Sequence, residues 1–216
     1  MTISYSNFLT QVRNYTEVES NVLSDTLLDQ FIRNTELDIA GKVDYDDLRK
    51  YATSTLVSGQ RYVNTPAELL IIRSVQLISG STRTFLEKRD TSFISEYNTN
   101  DSLGFPKYYA NWDDQNVIFA PTPDATYTVQ INYIQDPPHF TSTNQTFLSQ
   151  FQEAMLLNGV LTECFRYLKG PYDLYNLYLQ RYNEDVQAFS IQQMGRRRRA
   201  EYDDGVPRIQ VPSPSP

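Results

Sequence analysis

The chain is poor in the residues that carry most enzymatic chemistry. Its 216 residues include 1 cysteine, 1 histidine and 8 glycines. A lone Cys164 excludes an intrachain disulfide and a cysteine-based zinc site. It falls on the apolar stripe of a predicted helix, where it reads as a small buried hydrophobe rather than a nucleophile. His139 follows Asp136-Pro137-Pro138 with no partner carboxylate or cysteine motif, and is read as a surface residue. No phosphate-binding loop, nucleophile elbow, paired-histidine zinc motif or dinucleotide glycine pattern occurs. Carboxylate pairs remain, as in any acidic chain, so two-carboxylate hydrolysis stays open on composition alone. The expectation is a protein that is not an enzyme and takes no cofactor or metal. No apolar stretch is long enough to span a membrane. Met1-Thr2-Ile3-Ser4-Tyr5 lacks the basic start and apolar run of a signal peptide, so an intracellularly folded, soluble protein is expected.

What is present is a folded-protein composition, 40% hydrophobic and 13% aromatic, with 16 tyrosines. Tyrosine buries a large ring and keeps a polar tip, which suits half-exposed sheets and subunit interfaces. Filling of ordinary strand positions accounts for part of that excess. The formal charge is −7 and the pI about 4.7. Such a chain is a poor sequence-independent DNA binder, because phosphate neutralisation needs a basic surface. An acidic wall would instead suit a channel through which DNA slides without sticking.

Phe8, Leu9 and Val12 predict a short helix over Ser4 to Asn14. Ser24 is a candidate N-cap for a second helix, with Leu27, Leu28, Phe31, Ile32, Ile39 and Val43 on one face. Asp44-Tyr45-Asp46-Asp47 ends it. This acidic corner lacks the central glycine and terminal glutamate of a calcium loop and reads as solvated. From Leu48 the period changes to two. Tyr51 to Val57 reads as a strand, Ser58-Gly59-Gln60 as a hairpin-like break, and Tyr62 to Pro66 as renewed extended chain. Leu69 to Ile78 is expected to be a central strand, followed by a turn at Ser79-Gly80-Ser81. Arg89 to Tyr97 reads as one or two helical turns with Phe93, Ile94 and Tyr97 inward, and Asn98 to Gly104 as a polar loop.

The stretch from Phe105 to Tyr133 organises the rest. Three strand-like runs there, ending with the alternation Tyr127, Val129, Ile131, Tyr133, predict a half-buried antiparallel meander. Its turns are Trp112 to Asn116 and Pro121-Thr122-Pro123-Asp124. Beyond Asp136-Pro137-Pro138, the residues Thr141 to Asn144 are N-cap candidates for one long helix. Phe147, Phe151, Met155, Val160, Leu161, Cys164, Phe165 and Leu168 form its stripe. Gly170-Pro171 breaks and restarts the chain, and Tyr175, Leu179, Tyr182, Val186 and Phe189 mark the returning helix of an αα-hairpin. The expected fold is α+β, a helical bundle with an inserted antiparallel β-rich domain. Residues 1–46 supply the N-terminal helices, 47–138 the insertion, 139–195 the C-terminal hairpin and 196–216 an extended arm.

Arg196-Arg197-Arg198-Arg199 stands out in an acidic chain. It reads as a contact for phosphates or an acidic protein surface, as a nucleic-acid or nuclear-localisation patch, or as a solvated helix end favoured by the dipole. The tail beyond Gly205 has spaced prolines, with Ile209 and Val211 as apolar anchors. It is either free or an arm that docks on a neighbour.

Gly59-Gln60-Arg61-Tyr62, Pro66, Leu69 to Val75, Phe105-Pro106-Lys107-Tyr108-Tyr109-Ala110, Ile118-Phe119-Ala120-Pro121-Thr122-Pro123-Asp124 and Tyr127-Thr128-Val129 occur in that order. With the closing helix-Gly170-Pro171-helix, they resemble the head-to-tail adaptor (connector) proteins of tailed double-stranded DNA bacteriophages, particularly short-tailed ones. The similarity runs from about Thr10 to Tyr202. It implies a virion protein of the neck, assembled in the host cytoplasm, forming a dodecameric ring below the portal and continuing the DNA channel. DNA would pass without specific binding, and no membrane is involved. Arg196, Arg197, Arg198, Arg199, Arg208, Ile209 and Val211 would then form a portal-binding arm. Trp112, Tyr108 and Tyr109 would face tail nozzle or tail-fibre proteins. The competing class is a receptor- or glycan-binding β module, suggested by Trp112 and the tyrosines.

Overall fold

A computed structural model describes residues 3–202, with side chains described to Met194. In chain order the elements begin with α1 (Tyr5–Thr16), α2 (Asp25–Lys42), β1 (Arg49–Leu56), β2 (Tyr62–Asn64), β3 (Leu69–Ser79), β4 (Thr82–Phe85) and β5 (Glu87–Lys88). Next come α3 (Thr91–Tyr97), β6 (Leu103–Gly104), β7 (Tyr108–Asn111), β8 (Asn116–Ala120), β9 (Thr122–Pro123) and β10 (Tyr127–Gln135). The chain closes with α4 (Phe147–Phe151), α5 (Glu153–Leu168) and α6 (Tyr172–Tyr202). The protein is thus mixed α+β. It divides into two compact units, one from Asp47 to Asp136 and the other from the chain on either side of it.

The helical unit starts with two capped helices. Ser4 accepts from the Asn7 amide and Ser24 from the Leu27 amide, each satisfying a first-turn donor. Arg13 closes the loop between them by donating to the Leu23 carbonyl and pairing with Asp25. Phe8, Leu9 and Val12 of α1 and Leu28, Phe31 and Ile32 of α2 are buried with Leu156, Val160, Leu161, Cys164 and Phe165 of α5. The three- and four-residue spacing read from the chain is therefore the buried face. Helix α6 packs along α5, burying Tyr178, Tyr182, Val186 and Phe189.

Several parts of this unit differ from expectation. The helix after the proline segment is two helices: Thr146, not Thr141 to Asn144, caps α4 in a reciprocal pair with Ser149, and Gln152 leaves helical geometry at φ −133°. That break turns Phe151 out to 66% exposure, while Phe147 stacks on buried Tyr45. The C-terminal cap of α5 is Lys169, at φ 50°, rather than Gly170. Gly170 is needed for room instead, since a Cβ there would stand 2.8 Å from the Phe165 ring. Lastly, α6 continues to Tyr202, so backbone over 196–202 is helical where an extended arm was expected. That stretch has no proline, and arginine and alanine favour helix.

The β unit holds two four-stranded sheets, ordered β1-β10-β3-β4 and β2-β8-β7-β5, and a short pair β6-β9. Most pairings are antiparallel; β5 with β7 and β6 with β9 are parallel. The two larger sheets share one core, with Leu56, Val75, Leu77, Val129 and Ile131 from the first and Val63, Tyr109, Val117 and Phe119 from the second. Helix α3, capped by Asp90, buries Ile94 against Ala110, Ile118 and Ala120 on the other face of the second sheet.

The expected meander is split between these sheets. β7 and β8 pair, but β10 lies between β1 and β3 in the other sheet. Pro121 and Pro123 lack the donors to extend the β8 ladder, and Thr122–Pro123 pairs with Leu103–Gly104 instead. Ser58-Gly59-Gln60 likewise is no hairpin. Gly59 turns at φ 79°, its amide bonds to the Pro123 carbonyl, and β1 and β2 enter different sheets. Leu70 and Ile71 of β3 are each 57% exposed, and Tyr97 is an exposed residue of α3.

Candidate interaction surface

Exposed aromatic and charged side chains gather along the outer face of the second sheet, around Trp112 and Tyr108. At the β7–β8 turn, the Asp113 carboxylate accepts from the Gln115 amide at 2.8 Å and from Asn116 Nδ2 at 3.0 Å. Those bonds, from Asn116 first and then Gln115, hold the Asp113 carboxyl below its ordinary range. The turn presents Trp112, 49% exposed, edge-on to Tyr62 with ring centroids 5.7 Å apart. Arg61 lies over the Tyr62 ring at 5.6 Å, and its Nη1 reaches Asp101 Oδ1 at 2.6 Å. Beneath Asp101, Asn98 is buried: its Nδ2 donates to Thr122 Oγ1 and its Oδ1 accepts from Ser102, so the loop read as merely polar has a fixed anchor.

A second aromatic group surrounds Tyr108. Phe93 and Tyr97 of α3 stack at 5.6 Å, and Tyr108 meets both edge-on, at 5.2 and 5.1 Å. Arg89 caps Phe93 and Tyr108. Such guanidinium–ring contacts hold a cation on an aromatic face. Tyr109, grouped with Tyr108 and Trp112 from its sequence, points the other way and is 3% exposed. Alternation along β7 places it in the core, where burial raises its hydroxyl pKa, so it leaves the contact surface. Arg61 and Arg89 join this surface only through the fold. The sole signal was a basic residue beside an aromatic strand position, Arg61-Tyr62.

The helical unit departs from expectation at His139. It is not a lone surface residue: Nδ1 lies 2.7 Å from Glu36 Oε2 and Nε2 3.2 Å from Asp29 Oδ1. Asp29 and Glu36 lie about one and about three turns into α2, far from His139 in sequence, so no local motif shows the triad. Cys164 is buried, and burial pushes its thiol up to about 12, which removes nucleophilic character at neutral pH. Among the described residues no group of three or more His, Cys, Asp or Glu could hold a metal ion. Among them also, no helix is long and apolar enough to cross a membrane.

Of the residues assigned to a portal arm, Arg196, Arg197, Arg198 and Arg199 lie on the last turns of α6, and their side chains are outside the described residues. Arg208, Ile209 and Val211 lie outside the described residues altogether.

A mixed α+β chain whose exposed features are aromatic and ionic contact groups has the marks of a binding or assembly protein. The chain matches the model of the SU10 adaptor protein family over residues 3–208, nearly its whole length, and belongs to that family. It is a structural adaptor protein of phage. No curated protein matches it.

Proposed function

We propose that this adaptor joins head to tail: copies close into a dodecameric ring beneath the portal, continue the DNA channel and receive tail nozzle or fibre proteins. The family match over residues 3–208 carries the reading. In it, α1, α2 and α4 to α6 are a bundle with α5 and α6 as its hairpin, and the residues between Asp46 and Pro137 are an inserted contact domain. Closing a ring needs two different complementary patches per subunit. Arg196 to Pro216 is the portal-binding arm, and Trp112 and Tyr108 meet the tail. Acidic residues outnumber basic ones in the helical unit up to Met194, which suits a channel wall that repels DNA.

Native mass spectrometry of the chain mixed with its portal tests this. The expected result is a multi-subunit complex that is lost when residues 196–216 are removed. A chain that stays monomeric in the presence of portal, or that binds sugars as a monomer, overturns it. A cryo-EM ring with a basic lumen would reject the acidic channel wall.

A further inference from the structure

Sheet edges differ in how they are guarded. Charged residues in an edge strand discourage pairing with a foreign strand. Of the four edge strands of the two larger sheets, β1 carries Arg49 and Lys50, β4 carries Arg83, and β5 is Glu87–Lys88. β2, Tyr62-Val63-Asn64, has no charge. It has β8 on one side and no strand on the other among the described residues. The Phe119 amide donates to the Arg61 carbonyl at 2.8 Å and the Thr65 amide to the Gln115 carbonyl at 2.7 Å. Arg61, Val63 and Thr65 thus face β8. By the alternation of an antiparallel ladder, the N–H and C=O groups of Tyr62 and Asn64 point to the open side.

The surroundings of that edge have a definite character. Tyr62 and Trp112 stand beside it, and a cleft of about 430 Å³ at its start is lined by Gly59, Gln60, Arg61, Asp101, Leu103 and Thr122. Leu103 is 63% exposed, an apolar surface within the cleft. Acids flank both ends. Asp101 is exposed at the first and engages Arg61. Asp113 and Asp114 are exposed at the second, where Thr65 Oγ1 donates to the Asp114 carbonyl. Of the charged residues named here, Arg61 is paired with Asp101 and the acids outnumber it, so their field favours positive charge.

We propose that the open edge of β2 is the docking site for an extended cationic segment of another protein, added as a strand beside β2. Main-chain hydrogen bonds to Tyr62 and Asn64 hold it, as in other strand additions. Its alternate apolar residues lie on Leu103, Tyr62 and Trp112, and its cations face Asp101, Asp113 and Asp114. The inference rests on the reading of Trp112 as a contact residue and supplies that contact with a mode and a partner chemistry.

The test uses the full chain and, as probe, a capped hexapeptide alternating lysine with valine. Trp112 is the only tryptophan, so fluorescence excited selectively at tryptophan, beyond tyrosine absorption, reports this site. The expected result is a shift in Trp112 emission together with amide exchange at Tyr62 and Asn64 slowed about tenfold. A glutamate–valine twin should do neither. Asn64→Pro should abolish binding yet keep the fold, because proline is tolerated on an edge strand where its missing N–H faces outward. Should that variant not fold, Asp114→Lys should weaken binding of the cationic probe. Unchanged exchange at Tyr62 and Asn64, equal binding of the twin, or full binding by Asp114→Lys overturns the proposal. Tail attachment by Trp112→Ala particles separates the two ideas. Lost attachment with unchanged exchange rejects strand addition alone, whereas normal attachment rejects the contact reading itself.

Discussion

The imidazole of His139 stands 2.7 Å from the carboxylate of Glu36, a side chain with no exposed surface. The other Glu36 oxygen accepts from the Phe140 amide at 2.9 Å, and Arg33 donates to the Pro137 carbonyl. On the far side of the ring Asp29 accepts from the Tyr5 hydroxyl at 2.7 Å, which burial and that bond push well above the usual tyrosine range. The Phe140 ring then meets Tyr5 and Phe8 edge-on. Pro137, His139 and Phe140 are thereby fixed onto α1 and α2 by side-chain contacts rather than by a ladder. A buried carboxylate is tolerated only with such partners.

Glu36 should make stability depend on pH in a stated direction. Burial raises its carboxyl above the ordinary glutamate range, with His139, the Phe140 amide and Arg33 opposing. The folded state therefore holds this proton more tightly than the unfolded chain. Its contribution is fully present below the ordinary glutamate pKa and is lost as pH rises through the raised value. Glu36→Gln keeps an acceptor for Phe140 and removes the titration. Thermal unfolding across that interval should show the variant gaining on the parent as pH rises; the opposite slope would reject the account.

Gly159 of α5 lies against Thr35 of α2 and Tyr182 of α6. A Cβ there would stand 2.4 Å from Thr35 Cγ2 and 2.9 Å from Tyr182 Cε2. Tyr182 cannot swing away freely, since its hydroxyl donates to Asp38 at 2.6 Å and Lys42 lies over its ring. Alanine would gain about 1 kcal/mol in helix propensity, yet overpacking of a filled core costs about 1–3 kcal/mol. Urea denaturation of Gly159→Ala should show net destabilisation. An unchanged midpoint would mean that α2 and α6 yield.

Much of this architecture was readable from periodicity. Ser24 as a cap, the α2 stripe from Leu28 to Ile39, and the inward alternation Val129, Ile131, Tyr133 all follow from local rules. What was not readable depended on distant partners. Nothing within β10 says that it lies between β1 and β3, and nothing near His139 announces Glu36. The same holds for the contact surface. Trp112 could be placed on a turn by its neighbours, but Arg61, Tyr62 and Asp101 join it only through the β2–β8 pairing and the Asn98 anchor.

Tyr109 and Trp112 should separate core from contact. Tyr109→Ala removes a ring packed among residues of both sheets and should cost about 3 kcal/mol by chemical denaturation. Trp112 is half exposed on a turn held by Asp113, so Trp112→Ala should change the midpoint little, within about 1 kcal/mol. If the tryptophan variant proved the less stable, the turn would be a structural part of the sheet and not a presented surface.

Lys169 offers the reverse kind of change, a gain. It ends α5 at φ 50°, a left-handed conformation in which a Cβ is strained, while its neighbour Gly170 is not at positive φ. The Gly170 amide bonds to the Phe165 carbonyl at 3.1 Å, closing the helix end, so the backbone must keep this path. Glycine at 169 would relieve the strain but add freedom to the unfolded chain, leaving about 0.5–1 kcal/mol of net stabilisation. Gly170→Ala should do the opposite, because its Cβ would meet the Phe165 ring. Guanidinium unfolding of the two variants should therefore move the midpoint in opposite directions. A Lys169→Gly midpoint below the parent's would show that the lysine side chain contributes more there than the left-handed backbone costs.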